Sequence, residues 1–372
     1  MRRVLHIIES LNRTGTATQL LVLCRGLVER GWDVHVAALG ARGARTADFQ
    51  AIGVPPIHLD RRWTFDPAVL LRLQRLLNRL RPEVVHSWDA DSAVYGRLAA
   101  RAARAARVSS MLVGYHRLDP LSGDGRWQLE RRLARLTQRY IVSSEHLRNW
   151  FIGHGLPADK FVVIPPGVPP ASGSDLSREE LLRKLELPSH ARLIGVVGRL
   201  VPEKRVKDLI WAADLLRVLH DHLRLLVLGD GPERPQLEQY ARMASDLEHI
   251  KFLGERADLS CIMPHLDVLW NADEPRGHAI AILEAMALGV PVIASDTPFN
   301  RELVIDNETG YLVPLYQRAG RATRSRHTDQ IFTDRDLAAR LAKAAHQRVA
   351  QHFAAEQLIQ RYAEQYEMAA AP

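Results

Sequence analysis

The sequence predicts an α/β chain built as two doubly wound, Rossmann-like domains facing each other across a cleft. Three observations carry that expectation. The 372 residues exceed what one ordinary core organises. Short aliphatic runs alternate with helix-period segments along almost the whole chain, the signature of βαβ units and parallel sheets. Residues 165–174 concentrate proline and glycine as an interdomain linker does. The expected division is an N-terminal domain over 1–170, a second domain over 171–350, and a C-terminal helix over 351–372 that returns to the first domain or completes the second.

The elements follow in order. Strands are expected at residues 4–8, 33–39, 83–86, 110–115, 140–143 and 161–164. A helix over 18–30 separates the first two, because Leu20, Leu21, Leu23, Cys24, Leu27 and Val28 form an apolar stripe and Gly31 stops it. Strands recur at residues 193–197, 223–228, 250–253, 266–270, 292–294 and 311–313, with a helix over 206–219 after the first of these. Residues 334–368, rich in Ala, Leu, Gln and Arg, read as one or two helices. Residues 318–327, with Arg318, Arg321, Arg324, Arg326 and His327, read as an exposed loop. Ligands of open parallel sheets lie beyond the carboxyl ends of the strands, which puts the expected site in the cleft.

Composition excludes several classes. Hydrophobic residues are 47% and charged residues 25%, which excludes a collagenous or disordered chain. Two distant cysteines, Cys24 and Cys261, form neither a disulfide framework nor a Cys-x-x-Cys metal or redox pair, so a reducing cytoplasm is expected. The apolar run after Arg2 and Arg3 is broken by His6 and Glu9, too short for a leader core, and no 18-residue apolar stretch exists. Any membrane contact is therefore expected at the surface. The net charge of +7 is uneven: residues 1–170 carry 25 basic and 14 acidic side chains, residues 171–372 carry 25 and 29. That asymmetry points the first half at something anionic. Its basic positions cluster at Arg97, Arg101, Arg104 and Arg107, then at Arg126, Arg131, Arg132, Arg135 and Arg139 with Trp127. They read as a solvated face, or as a peripheral contact with anionic lipid headgroups with Trp127 at the interface. No nucleic-acid recognition motif accompanies them.

The strongest chemical signal is Gly195-Val196-Val197-Gly198-Arg199-Leu200-Val201-Pro202-Glu203-Lys204, a strand entering a glycine turn with two cations before a helix. Close backbone approach, free helix N–H groups and paired cations suit a diphosphate; the bland alternative is a turn with solvated basic residues. G-x-G-x-x-G is absent, so this is not a dinucleotide fingerprint. Downstream, Gly277 opens a helix carrying Glu284, an acid able to accept from a ribose diol, or simply a solvated helix face. Asp89-Ala90-Asp91 spells a possible divalent-cation pair, although the cations at 199 and 204 make a metal unnecessary.

These residues carry a resemblance. Gly198-Arg199-Leu200 with Lys204, Leu228-Gly229-Asp230-Gly231-Pro232, Phe252-Leu253-Gly254, Leu283-Glu284-Ala285-Met286-Ala287, Gly289-Val290-Pro291-Val292 and Thr309-Gly310-Tyr311-Leu312-Val313-Pro314 resemble, in order and spacing, the retaining glycosyltransferases of the GT-B fold called glycosyl transferases group one. The first half is similar through Gly15, Glu83-Val84-Val85-His86, Ser143-Ser144 and Ile164-Pro165-Pro166-Gly167-Val168. The resemblance implies a nucleotide-diphosphate sugar as co-substrate, with no cofactor and no metal. Gly198, Arg199 and Lys204 would hold the diphosphate with Gly277, Glu284 the ribose, and Gly15 would admit the donor phosphates. His116 would lie beside the donor sugar, with Asn300 and Glu302 in a nearby loop. Lipid-linked, polysaccharide or small-molecule acceptors, cell-envelope work, and a cytoplasmic place peripheral to the membrane's inner face follow as expectations.

Two departures stand out. Arg276 occupies the position, eight residues before Glu284, where the family commonly has an acid. Glu274 is a candidate substitute or partner for it, with Asp273 and Asp296 as further partners. Ala17 stands where an acid is common after Gly15. A nucleotide-sugar epimerase, a degenerate nucleotide- or glycan-binding relative, and a nucleic-acid or membrane scaffold stay open at this point.

Overall fold

The computed structural model describes residues 2–103, 110–116, 124–170, 176–244, 249–316 and 318–370. The chain forms two compact units, Met1–Pro169 with Ala355–Pro372, and Pro170–Ala354. In the first unit the order is β1 (Arg3–Ile8), α1 (Gly15–Glu29), β2 (Asp33–Ala38), α2 (Thr46–Ala51), β3 (Ile57–His58), α3 (Pro67–Leu80), β4 (Val84–Ser87), α4 (Ala90–Ala102), β5 (Ser110–Tyr115), α5 (Asp124–Leu133), β6 (Arg139–Val142), α6 (Glu145–Gly153) and β7 (Phe161–Val163). The second unit holds α7 (Arg178–Lys184), β8 (Arg192–Val197), α8 (Val206–Arg217), β9 (Leu223–Leu228), α9 (Arg234–Ala244), β10 (Ile250–Gly254), α10 (Leu259–Ile262), β11 (Val268–Trp270), α11 (Ile280–Ala287), β12 (Val292–Ser295), α12 (Pro298–Leu303), β13 (Tyr311–Val313), α13 (Arg318–Thr333) and α14 (Arg335–His352). Helix α15 (Ala355–Ala370) packs on α1 in the first unit.

Every strand pairing is parallel, in the orders β3-β2-β1-β4-β5-β6-β7 and β10-β9-β8-β11-β12-β13. Parallel strands are covered on both faces, which explains why β9 is buried at all six positions. On one face of the first sheet, Leu20, Leu23 and Leu27 of α1 meet Leu358, Ile359, Tyr362 and Tyr366 of α15. Gly26 lets the two helices approach, because a Cβ there would lie 2.4 Å from Ile359.

Helix starts follow local chemistry. Helix α1 begins at Gly15, earlier than the apolar stripe suggests, because the Thr14 hydroxyl accepts from Ala17 N–H at 3.2 Å. Asp66 caps α3 with Pro67 in its first turn. Asp89 and Ser92 form a capping box on α4, and Asp91 is ion-paired with Arg61 at 2.6 Å. Both acids of the Asp-x-Asp run therefore have structural partners, and among the described residues no group of three or more potential ligands is placed to hold a metal.

Three sequence expectations are corrected. Residues 318–327 are helix, not loop. Its inward face is partly polar: Arg324 is 3% exposed, the Ser325 hydroxyl donates to Ala212 of α8 at 3.0 Å, and the Thr328 hydroxyl, one residue beyond, accepts from the Trp270 indole at 2.9 Å. A helix whose buried stripe is polar carries no hydrophobic period to read. The edge strand β3, two residues long, was not anticipated.

The basic face is also redrawn. Arg97 is buried and bound to both carboxylate oxygens of Glu130 at 2.7 and 2.5 Å, with Thr137 at 3.2 Å, and Tyr140 donates to Glu130 at 3.0 Å. It cannot meet a lipid headgroup. Trp127 stacks on His154, with ring centroids 4.6 Å apart, and packs against Trp150. Arg101, Arg131, Arg132, Arg135 and Arg139 are exposed, whereas Arg104, Arg107 and the side chain of Arg126 lie outside the described residues, as do linker residues 171–174. No helix among the described residues is long and apolar enough to cross a membrane.

Candidate functional site

Each sheet reverses its strand order once, at β1 beside β4 and at β8 beside β11. Beyond the carboxyl ends of strands at such a point, neighbouring loops diverge and leave room for a ligand. In the second unit that place is built from glycines. Gly198 (φ +146°) and Gly229 (φ +150°) adopt backbone that side chains disfavour, and a Cβ on Gly229 would lie 1.9 Å from the Gly198 carbonyl oxygen. A Cβ on Gly231 would lie 2.3 Å from the Leu200 carbonyl oxygen, and Leu200 N–H donates to the Asp230 carbonyl at 2.9 Å. The loops after β8 and β9 are thus interlocked, and they present Arg199 outward.

Lys204 closes a short turn, Pro202–Lys204, and its ammonium is ion-paired with Asp273 in the loop after β11. A small cavity lies beneath them, lined by Val197, Gly198, Lys204, Asn271, Ala272 and Asp273. Asp273 is held in place from below. The Arg324 guanidinium donates to the Asn271 carbonyl at 2.9 Å, and burial lowers its pKa only to about 10, so it stays charged. The Ser295 hydroxyl donates to the Asp273 carbonyl at 2.8 Å, and the Asn300 amide donates to the Ser295 carbonyl at 2.8 Å and to Asn271 Oδ1 at 3.2 Å.

The same loop leads into α11. Its N-cap, Ala279, is extended and offers no side-chain acceptor, so the first-turn amides lack that partner. Gly277 lies just before it, and Glu284 sits on its half-buried stripe. The imidazole of His278 is enclosed, 3.6 Å from Glu302 and edge-on to Phe299. Arg276 is 3.9 Å from Glu203, not paired with Glu274, whose carboxylate lies 3.8 Å from Arg205. Asp273 and Asp296, the other partners considered for Arg276, are engaged by Lys204 and Arg301.

Residues 13–172 match the family Glycosyltransferase Family 4, and residues 177–348 match Glycosyl transferases group 1. The chain belongs to the group 1 glycosyl transferases. A GDP-mannose-dependent alpha-mannosyltransferase of Mycobacterium tuberculosis is 30% identical over 256 residues, covering 66% of this chain and 63% of that protein. The match thus spans under two thirds of that relative's length. Putative glycosyltransferase EpsD of Bacillus subtilis is 25% identical over 362 residues, 91% of this chain and 90% of that one. Among solved structures, Anabaena Alr3699/HepE in complex with UDP-glucose is 20% identical, with TM-score 0.88 over 99% of this chain and 100% of the other. The fold of this group 1 glycosyl transferase is GT-B.

In this group 1 chain, Gly198, Lys204, Gly277 and Glu284 belong to the loops and helix that leave β8 and β11. Arg199, on the first of those loops, is exposed, and its carbonyl accepts from Val201 N–H at 3.0 Å. Asn300 is 1% exposed, and its amide is engaged by Asn271 and Ser295. Glu302 is half-buried beside His278. In the first unit Gly15 opens α1 at the surface, and His116 follows β5, half-buried and stacked on Trp88 with centroids 4.8 Å apart. Sequence reasoning missed Asn271, Ser295, His278 and Arg324. Asn271 stood one residue beyond a strand end and was open to detection; Arg324 carried no local signal.

Proposed function

We propose that this chain moves a sugar from a nucleotide-diphosphate sugar to a lipid-linked, polysaccharide or small-molecule acceptor with retention of anomeric configuration, and that it does so without a metal. One observation supports the reading most: the loops leaving β8 and β11 carry Arg199, Lys204 and an uncapped helix N-terminus around glycine turns shaped for close backbone approach. Such groups stabilise the charge that grows on a departing diphosphate. Lys204 exchanges Asp273 for phosphate oxygens when the donor arrives, and Glu284 accepts from the ribose. The bond from the anomeric carbon to the phosphate oxygen breaks, the acceptor hydroxyl oxygen bonds on the same face, and its proton passes to the departing phosphate. His116 orients the sugar.

The relative from Mycobacterium tuberculosis uses GDP-mannose, and the Anabaena structure holds UDP-glucose. Thermal unfolding against UDP, GDP, ADP and their sugars, with Arg199→Ala/Lys204→Ala as control, tests the site. A selective rise, lost in the control, is expected; saturation at about 100 times Kd adds roughly 2.7 kcal/mol. A flat panel in a folded sample overturns the reading. Arg276, at the position of the family's acid, favours a second reading in which nucleotide binds without turnover; a selective thermal shift with no released nucleoside diphosphate would support it.

A peripheral contact with an anionic membrane is kept, on a different surface. Trp63 and Phe65 are 66% and 55% exposed, and α3 adds exposed Leu71, Arg72, Arg75 and Arg79 with no acid along its length. Aromatics beside cations suit an anionic interface. Sedimentation with phosphatidylglycerol vesicles but not phosphatidylcholine vesicles, lost in Arg72→Glu/Arg75→Glu, is expected; equal binding to both, or none, refutes it.

A further inference from the structure

Beneath His116 lies a ring system that the donor-site argument does not use. His6 on β1 and His86 on β4 are register partners, and Trp88 follows His86 by two residues. The Trp88 side chain is 1% exposed, and its indole N–H donates to His6 Nδ1 at 3.1 Å. The indole stacks on His116 at 22° between planes and on Tyr362 of α15 at 19°. Tyr366 of the same helix lies 2.6 Å from His86 Nδ1. Gly114 completes the enclosure, since a Cβ there would lie 2.9 Å from His86 Nε2 and 3.0 Å from His116 Nε2.

The two buried histidines of the pair, His6 and His86, have one charge state at ordinary pH. Burial drives the His6 pKa to about 3 and that of His86 well below its usual value, so both rings are neutral. His6 Nδ1 accepts from the indole, which puts its single proton on Nε2. An indole anchored at its N–H and packed by Tyr362 and His86 cannot rotate without breaking buried contacts.

We propose that Trp88 is a positioning residue for His116: the anchored indole holds the imidazole in one ring plane. The proposal rests on the reading of His116 as the residue beside the donor sugar. A ring fixed before substrate arrives loses no freedom in the transition state, so the benefit falls on kcat, with little effect on donor affinity.

The test is a double-mutant cycle of Trp88→Leu and His116→Ala, with Trp88→Phe as the conservative variant. Turnover is read as nucleoside diphosphate release from UDP-glucose or GDP-mannose, and donor affinity by calorimetry. Expected are at least tenfold lower kcat in Trp88→Leu and in His116→Ala with donor Kd within twofold, a smaller loss of kcat in Trp88→Phe, which keeps a stacking ring but lacks the N–H anchor, and a double variant no slower than His116→Ala. Wild-type kcat in His116→Ala overturns the reading of His116 and this proposal with it. An impaired His116→Ala beside a wild-type Trp88→Leu, or a double variant slowed by the product of both, overturns the positioning role alone. Proton NMR supplies a readout independent of turnover and of how Trp88→Leu folds. The His116 ring resonance, assigned by its loss in His116→Ala, is expected to lie upfield through the indole ring current and to shift in Trp88→Phe; a resonance at the exposed-histidine position overturns the proposal.

Discussion

The ammonium of Lys204 is ion-paired with the carboxylate of Asp273, joining the loop that leaves β8 to the loop that leaves β11. The pair is partly exposed, with side chains 27% and 15% accessible, so an incoming anion can reach the lysine without unfolding the site. Pairing with Asp273 restricts the lysine, where a free side chain would sample many rotamers.

Lys204→Ala and Arg199→Ala are each expected to lower turnover at least tenfold, since a charge-assisted contact is worth roughly 1.5–3 kcal/mol. Steady-state kinetics with the donor that shifts unfolding checks this. Unchanged kinetics in both variants would remove the diphosphate from these cations.

Asn300→Ala is expected to destabilise the second unit by about 1–3 kcal/mol, because its amide bridges Ser295 and Asn271 inside the protein. Denaturant unfolding reads the loss. A variant with full stability and a selective loss of sugar affinity would return Asn300 to the role of donor contact.

Arg97→Met is expected to cost about 3–5 kcal/mol, as it strands the buried Glu130 carboxylate. The double variant Arg97→Met/Glu130→Met should recover much of that loss. If Arg97→Met instead unfolds like the wild type while binding anionic vesicles less, the buried pair is not what Arg97 contributes.

The fold should lose stability on acidification through His6. A base whose folded pKa, about 3, lies below its unfolded value near 6.5 stabilises the fold in its neutral form. That contribution is complete above about pH 6.5 and is lost as pH falls toward 3, amounting to about 2 kcal/mol between pH 7 and 5. Asp89, whose carboxyl burial raises to about 7, slopes the other way. The decisive comparison is therefore with His6→Gln, which keeps an acceptor for the indole. Its unfolding free energy should fall less between pH 7 and 5 than that of the wild type; parallel curves would mean that His6 titrates alike in the folded and unfolded chain.

Much of this protein was legible residue by residue. Aliphatic runs placed twelve of the strands to within a few residues, because parallel strands buried on both faces are continuously apolar. The chain passes from one compact unit to the other between Pro169 and Pro170. Glycines at 198, 229 and 231 marked the interlocked loops that leave β8 and β9, since backbone at positive φ and sub-contact approach demand that residue. Lys204 was visible because it follows one of those glycines along a single loop.

Only the tertiary structure decided which charges are inside. Arg97 looked like a member of a solvated stripe until Glu130, 33 residues away, was placed beside it. Arg324 lay in a basic run read as a loop, yet it braces Asn271, 53 residues away. Asn300 is buried with its amide on Ser295 and on Asn271, 29 residues away, a partnership that no local pattern shows. Local sequence determines periodicity and turn geometry because both arise from neighbouring residues. Burial of a polar group depends on a partner brought from elsewhere in the chain, and no local pattern encodes that partner.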